Sequence, residues 1–353
     1  MTFDNPPPTS GSAQGRSGFS QAGQATFDVA LRIGGLFAAI ILVAVITVII
    51  KPNAFNLDVG ITVLRAMSSV AIMSLGLLLV IVVGEIDLSF GAVYGLCANV
   101  LAVLWIVNGV SVYVALPIAI ATGALVGLFN GALVTWFKIP SFIVTLGSYN
   151  LLYGVSLWIT NTSTFNPVYP PAGVTIPQAE LDLFTGLTAS YGTRPISLEV
   201  AWMIGIAVLV WLLLHRSLFG FRLTAVGGNP VAARLARLPV TRYKILAFVL
   251  CGVLAGIAGI LDFSFIQTVQ PNSGLSATFP VFAAVIIGGA SLSGGKGTVI
   301  GTIGGALLLA ELQQGLALLS PGPHVQQLFL GAVTIGAVAL DLTLSKIRNR
   351  RAS

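Results

Sequence analysis

GITVLRAMSSVAIMSLGLLLVIVVGEIDLSFGAVYGLCANVLAVLWIV, residues 60–107, reads as two apolar runs, near Gly60 to Val83 and Ser89 to Val107, joined by a short acidic link. Each run is about as long as the roughly 20 residues that a helix needs to cross the hydrocarbon core of a bilayer. The rest of the chain repeats the pattern. Apolar residues make up 56% of the 353 and charged residues only 8%, with a mean hydropathy of +0.96. A soluble domain carries about 25% charged residues, so a cytosolic enzyme, a disordered protein and a nucleic-acid binder are all excluded. The net charge of +6 reports orientation instead, because the basic residues fall between or after the apolar runs. Cys97 and Cys251 lie within apolar stretches and offer neither a disulfide framework nor a thiol-rich metal site.

Working outward, further spans are expected near Leu31 to Ile50, Val112 to Trp136, Phe142 to Ile159, Val200 to Leu214, Tyr243 to Asp262, Ala277 to Ala290, Thr298 to Gln313 and Val325 to Leu344. The expected fold is therefore all-α and polytopic, with about ten transmembrane helices. The run from Ala277 rises only about 21 Å, and Pro280 interrupts it, which points to a half-helix or re-entrant element. Residues 1–28, rich in Pro, Gly, Ser and Gln, read as a disordered cytoplasmic tail. The first apolar run lacks a cleavage pattern and reads as an anchor, so no signal peptide is expected. Residues 29–345 form the transmembrane domain. Residues 160–198, with five prolines and several acids, read as an ordered external loop carrying a short helix, and residues 346–353 as a basic cytoplasmic tail. Ten of the seventeen basic residues lie in Arg216–Lys244 and in the C-terminal tail. Ten crossings place both regions, and both termini, on the cytoplasmic side.

Three stretches stand out. The link GEIDLSFG sets Glu85 and Asp87 between two spans. An acid at mid-bilayer costs about 3 kcal/mol, so either the link emerges at the cytoplasmic face or the helix breaks there. In the second case Asp87 caps the next helix, with Ser89 in its first turn. The stretch GGASLSGGKGT contains Gly289, Ser291, Ser293, Gly294, Gly295 and Lys296. It resembles a nucleotide signature superficially, but Ala290 and Gly297 stand where a phosphate loop needs Gly and Ser or Thr. It reads as a glycine-rich cytoplasmic turn, and the chain itself is not expected to hydrolyse ATP.

The third stretch, FGFRLTAVGGNPVAARLARLPVTRYK from Phe219 to Lys244, predicts a helix of about nine residues capped by Asn229, begun by Pro230 and ended by Pro239. Ala232, Ala233 and Ala236 give it a low profile suited to a groove on another protein, and Arg234 and Arg237 share a face. Gly227 and Gly228 permit a sharp exit from the membrane. On residue chemistry alone, docking on a protein and pairing with lipid phosphates stand level. Glycines at spacing four (Gly123, Gly127 and Gly131; Gly252 and Gly256; Gly301 and Gly305) predict close helix packing, within the chain or against a second copy.

With GEIDLSFG, VGGNPVAARLARLPV, GGASLSGGKGT and ELQQGL in order, the chain resembles the permease subunits of ribose-type ATP-binding-cassette importers, from about Gly60 to Arg348. The resemblance implies translocation of a neutral pentose- or hexose-class sugar across the inner membrane. It also implies a second permease copy, a cytoplasmic ATPase that uses the ATP, and a periplasmic sugar-binding protein. No cofactor or metal is implied for this chain. The family's coupling helix maps to Gly228, Asn229, Pro230, Ala232, Ala233, Arg234 and Leu235, which tips the reading of that helix toward docking. The family's helix-break motif maps to Gly84, Asp87, Ser89 and Gly91. Glu85, Phe90 and Pro230 depart from the residues usual at these places.

Two other readings compete. A secondary transporter needs ion-coupling residues at mid-membrane, and the acids available, Asp262, Glu311 and Asp341, lie near span ends. An enzyme would have only His215 and His324 as imidazoles. Scarce charge fits a neutral, hydroxyl-rich solute. Asn99, Asn130, Tyr149, Asn150 and Gln267 could face its path, or could equally satisfy neighbouring helices, so the substrate residues stay unassigned.

Overall fold

The computed structural model describes residues 21–52, 56–191, 196–319, 322, 324–332, 335, 336 and 339. Its elements are α1 (Gln21–Ile50), α2 (Leu57–Val82), α3 (Phe90–Ala102, continued by a π-helical turn Val103–Val107), α4 (Val112–Trp136), α5 (Ser141–Thr160), α6 (Gln178–Gly186), β1 (Ser190–Tyr191), β2 (Ile196–Ser197), α7 (Leu198–His215), α8 (Leu218–Gly228), α9 (Pro230–Leu235), α10 (Val240–Ile266), α11 (Thr278–Ile287) and α12 (Val299–Leu319). Among the described residues, seven helices are long and apolar enough to cross a membrane: α2, α3 with its extension, α4, α5, α7, α10 and α12. The apolar part of α1 (Gly34–Ile50) and the run formed by α11 with the 3-10 turn before it (Leu275–Ile287) are shorter. The span expected at Val325–Leu344 lies partly outside the described residues, of which 324–332 are helical.

Part of the N-terminal tail expected over 1–28 is helical. The helix begins at Gln21, because extending a helix already formed by a long apolar segment needs no new nucleus. Residues 1–20 and the basic tail 346–353 lie outside the described residues.

The core forms around α2. Ala71 to Val83 are at most 1% exposed among their apolar members, as expected of a helix apolar all round, and α7, α10, α11 and α12 pack on it. Between α4 and α10 the glycines bring the backbones together. Gly123 and Gly252 each meet the other's carbonyl, and a Cβ on Gly131 would lie 2.9 Å from the Ile245 Cα. Gly256 meets the Cys97 sulfur, Gly301 meets Gly288, and Gly305 meets Ala284. Each of the three glycine ladders is thus occupied within the chain, and none needs a second copy.

Outside the bundle, Phe184 of α6 sits between Trp105 and Phe263 with centroids 5.0 and 4.9 Å away, edge to face. Glu180 accepts hydrogen bonds from the Trp105 indole (2.7 Å) and the Val112 amide (3.1 Å), so it caps the start of α4. Burial raises its carboxyl pKa, but the bonds from Ser111, Val112 and Trp105 outweigh that and hold it below the ordinary glutamate value.

Candidate coupling site

α9 is six residues long, not nine. Asn229 Oδ1 accepts from the amides of Val231 (3.1 Å) and Ala232 (2.9 Å), and Pro230 takes the first position, where no amide is needed. The helix stops before Pro239. Arg237 adopts a left-handed φ of 58°, and the Leu238 amide returns to the Ala233 carbonyl at 2.9 Å. That bond is the C-terminal wrap that satisfies a last-turn carbonyl. Arg237 therefore lies beyond the helix, and the helical spacing argument for a shared face with Arg234 does not apply. Ala233, expected on the outer surface, is 3% exposed and packs inward, whereas Val231 (66%) and Leu235 (82%) face out. The outward face of α9 thus consists of Val231, Ala232, Arg234 and Leu235. Val231 was not expected there, because the length and end of so short a helix depend on a left-handed residue that sequence does not announce.

Behind α9, the three motifs that read as separate features converge. Gly227 and Gly228 end α8 as helical residues, so they do not form a sharp turn. They permit contact instead. A Cβ on Gly227 would strike the Val82 carbonyl, and one on Gly294 would lie 2.6 Å from the Gly227 carbonyl oxygen and 2.8 Å from the Gly84 Cα. A Cβ on Gly295 would lie 2.6 Å from the Gly228 Cα. The Gly295 amide donates to the Val82 carbonyl at 2.8 Å, satisfying one of the open carbonyls at the end of α2. Gly289, Gly294 and Gly295 all have positive φ, and the Ser291 amide closes the loop on the Lys296 carbonyl at 3.0 Å. The Ser293 amide donates to the Ser291 hydroxyl at 3.3 Å. One junction therefore ties the end of α2, the end of α8 and the α11–α12 turn together beneath the exposed helix.

The GEIDLSFG link divides into two environments. Glu85 pairs with Lys244 in the first turns of α10. Asp87, 2% exposed, accepts from the Ser89 amide and hydroxyl, both at 2.7 Å. Ser89 is the N-cap of α3, one place before its first turn. Its hydroxyl accepts from Asn130 Nδ2 (2.8 Å), and Asn130 Oδ1 accepts from Ser148 (2.6 Å). This chain of bonds joins the link to α4 and α5, and is satisfied at each step. A Cβ on Gly91 would lie 2.8 Å from the Gly274 carbonyl oxygen.

The neutral groups named as pathway candidates divide similarly. Asn130 is consumed by this network, and Asn99 Nδ2 donates to the Gln270 carbonyl at 3.1 Å. Asn150 is exposed on α5, its amide bonded to the Leu146 carbonyl. Tyr149 and Gln267 are half-buried, Gln267 ending α10 in a left-handed conformation.

A charged cluster at the opposite ends of the helices was not anticipated. Arg65 of α2 lies 3.0 Å from Asp262 of α10 and 3.5 Å from Glu199 of α7, with its guanidinium 3.7 Å from the Phe265 ring. Ser69 donates to Glu199 at 2.7 Å, and Tyr94 donates to Asp262. A lone arginine inside an apolar span was the available signal, since such a charge needs a partner. Among the described residues, no group of His, Cys, Asp and Glu forms a metal site.

The chain is similar to known proteins over most of its length. The ribose import permease protein of Escherichia coli (strain K12) is 35% identical over 308 residues, covering 87% of this chain and 92% of that protein. The ribose import permease protein of Bacillus subtilis (strain 168) is 32% identical over 323 residues, 89% and 94% of the two chains. The fructose import permease protein of Rhizobium meliloti is 32% identical over 285 residues, 81% and 78%. Residues 59–338 match the family described as branched-chain amino acid transport system / permease component. This membrane-embedded chain therefore belongs to that family of transport permeases.

Proposed function

We propose that this chain is the membrane-spanning subunit of an ATP-driven importer that takes a neutral pentose- or hexose-class sugar across the inner membrane. Its relatives include ribose and fructose import permeases, and this favours a sugar over the amino acids in the family's title. Two permeases form the conduit, a cytoplasmic ATPase subunit uses the ATP, and a periplasmic binding protein delivers the solute. Ten crossings, with both termini cytoplasmic, remain the topology that puts every basic stretch inside.

The observation that carries this reading is α9. A capped, rigid helix presents Val231 and Leu235 outward from a junction where three segments touch backbone to backbone. Exposed aliphatics flanked by Arg234 suit a groove on another protein better than a lipid surface, where apolar residues and basic residues would occupy separate faces. A push on α9 would pass through Ala233 into α8 and α10, and through the glycine junction into α2 and the α11–α12 turn. Nucleotide-driven closure of the ATPase pair would then rock the bundles and open the conduit to one face at a time.

The test is co-purification of the ATPase subunit with the permease carrying Arg234→Glu and Leu235→Glu. Both side chains are exposed, so the fold is retained. The expected result is loss of the ATPase at unchanged permease yield. Undiminished association would overturn the docking assignment.

A further inference from the structure

Between α10 and the 3-10 turn Leu275–Ala277 that precedes α11 the chain is not helical, and it runs through the bundle. α3 and its extension, Phe90 to Val107, rise about 27 Å. Asn99, about half-way along, donates to the Gln270 carbonyl at 3.1 Å. One turn lower, Gly95 meets the Ser273 carbonyl, and Gly91 in the first turn meets the Gly274 carbonyl. Residues 270–274 therefore descend beside α3 from its middle to its start. The other end is held outside by the Phe165–Val269 bridge, and the helix resumes only at Leu275 and α11.

Irregular backbone at membrane depth cannot face lipid, since each unsatisfied peptide group costs several kcal/mol there. Here the carbonyls of Gln270, Ser273 and Gly274 lean on α3. The opposite face carries Gln270, Asn272 and Ser276, all exposed and with no side-chain hydrogen bond among the described residues. Phe279, 58% exposed, follows Ser276 by three places and shares its helical face. In the adjoining seam, Asn99 Oδ1 and Thr278 Oγ1 are buried without a hydrogen-bond partner among the described residues.

We infer that this unwound segment lines the aqueous path, with the Gln270 and Asn272 amides and the Ser276 hydroxyl binding the hydroxyls of a neutral polyhydroxylated solute and Phe279 covering its apolar ring face. An amide offers both donors and an acceptor, which matches adjacent hydroxyls, and an aromatic face suits the C–H surface of a sugar. Unwound membrane segments at a solute site are a known device of transporters, and here the chain supplies uncharged groups only. The sugar class rests on the importer reading; the aqueous exposure of the segment does not.

The experiment uses the full complex of permease, ATPase and binding protein in proteoliposomes, with single cysteines labelled by the impermeant 2-(trimethylammonium)ethyl methanethiosulfonate. Cys97 and Cys251 are buried and serve as silent background. Asn272→Cys and Ser276→Cys are expected to react at least about tenfold faster than Leu209→Cys, a 65% exposed residue on the apolar face of α7. Rates equal to that control would overturn the aqueous segment. In the same vesicles Asn272→Ala should raise the KM for D-ribose or D-fructose uptake about tenfold, with Asn272→Gln restoring part of it. An unchanged KM overturns the binding role. Fast labelling with no ATP-driven uptake of either sugar by the parent complex leaves the aqueous path standing and overturns the sugar assignment.

Discussion

Replacing Gly294 by alanine tests the junction beneath α9 most directly. Two costs arise there. Gly294 has a φ of +79°, and placing an alanine in that left-handed region costs about 1–2 kcal/mol. Its Cβ would also lie 2.6 Å from the Gly227 carbonyl oxygen and 2.8 Å from the Gly84 Cα, both backbone atoms unable to rotate away. Overpacking of this kind costs about 1–3 kcal/mol, so the total is about 2–5 kcal/mol. Gly173 provides the control, because its φ is +86° and a Cβ there meets nothing within 4 Å. Gly173→Ala should show the conformational cost alone. Equilibrium unfolding of the purified permease in mixed detergent micelles would measure both variants. Gly294→Ala is expected to exceed Gly173→Ala by about 1–3 kcal/mol, and to reduce ATP-driven uptake where Gly173→Ala does not. Equal destabilisation by the two substitutions would refute the claim that the three motifs are packed backbone to backbone.

Two further outcomes follow from the charged contacts. Arg65→Met leaves Glu199, with no exposed surface, and the partly exposed Asp262 without a cation. Breaking a buried pair from one side costs about 3–5 kcal/mol, and adding Glu199→Gln to Arg65→Met should recover part of the loss in the same unfolding assay; a strictly additive further loss would disprove the pairing. The second outcome concerns acid. Because the Glu180 carboxyl is held below its ordinary value, its contribution is present above the unfolded-state pKa and is lost as pH falls through the folded one. Hydrogen exchange in residues 178–186 should therefore rise on acidification through the lower carboxylate range. Glu180→Gln should remove that pH dependence, and an unaltered profile in the variant would count against the Glu180 carboxylate as the cap of α4.

How much was legible in the sequence depended on the range of the interaction involved. Helices α4, α5 and α7 begin and end within two residues of where apolar run length placed them, because the requirement to bury backbone polar groups inside hydrocarbon is local and strong. Asn229 and Pro230 likewise announce the start of α9 through local capping chemistry. Its end was not legible, since the left-handed turn at Arg237 and the inward rotation of Ala233 are set by packing against α8 and α10.

The glycine-bearing motifs show the same division more sharply. Their composition declared tight turns or close packing, yet nothing in one stretch says that Gly84, Gly227 and Gly294 lie against one another, because those contacts join positions far apart in the chain. Arg65 was visible as a charge in an apolar run, but Glu199 and Asp262 became its partners only when three helices met. Residues 263–276 fell between the expected spans Tyr243 to Asp262 and Ala277 to Ala290. Tertiary contact with Gly91, Gly95 and Asn99 drew that segment into the bundle, where the Gln270 carbonyl found the Asn99 amide as donor and the Ser273 and Gly274 carbonyls found close glycine surfaces. Sequence determined that the chain lives in a membrane and carries a short capped helix, because those follow from short-range solvation and capping. Which segments line the interior was decided by long-range packing alone.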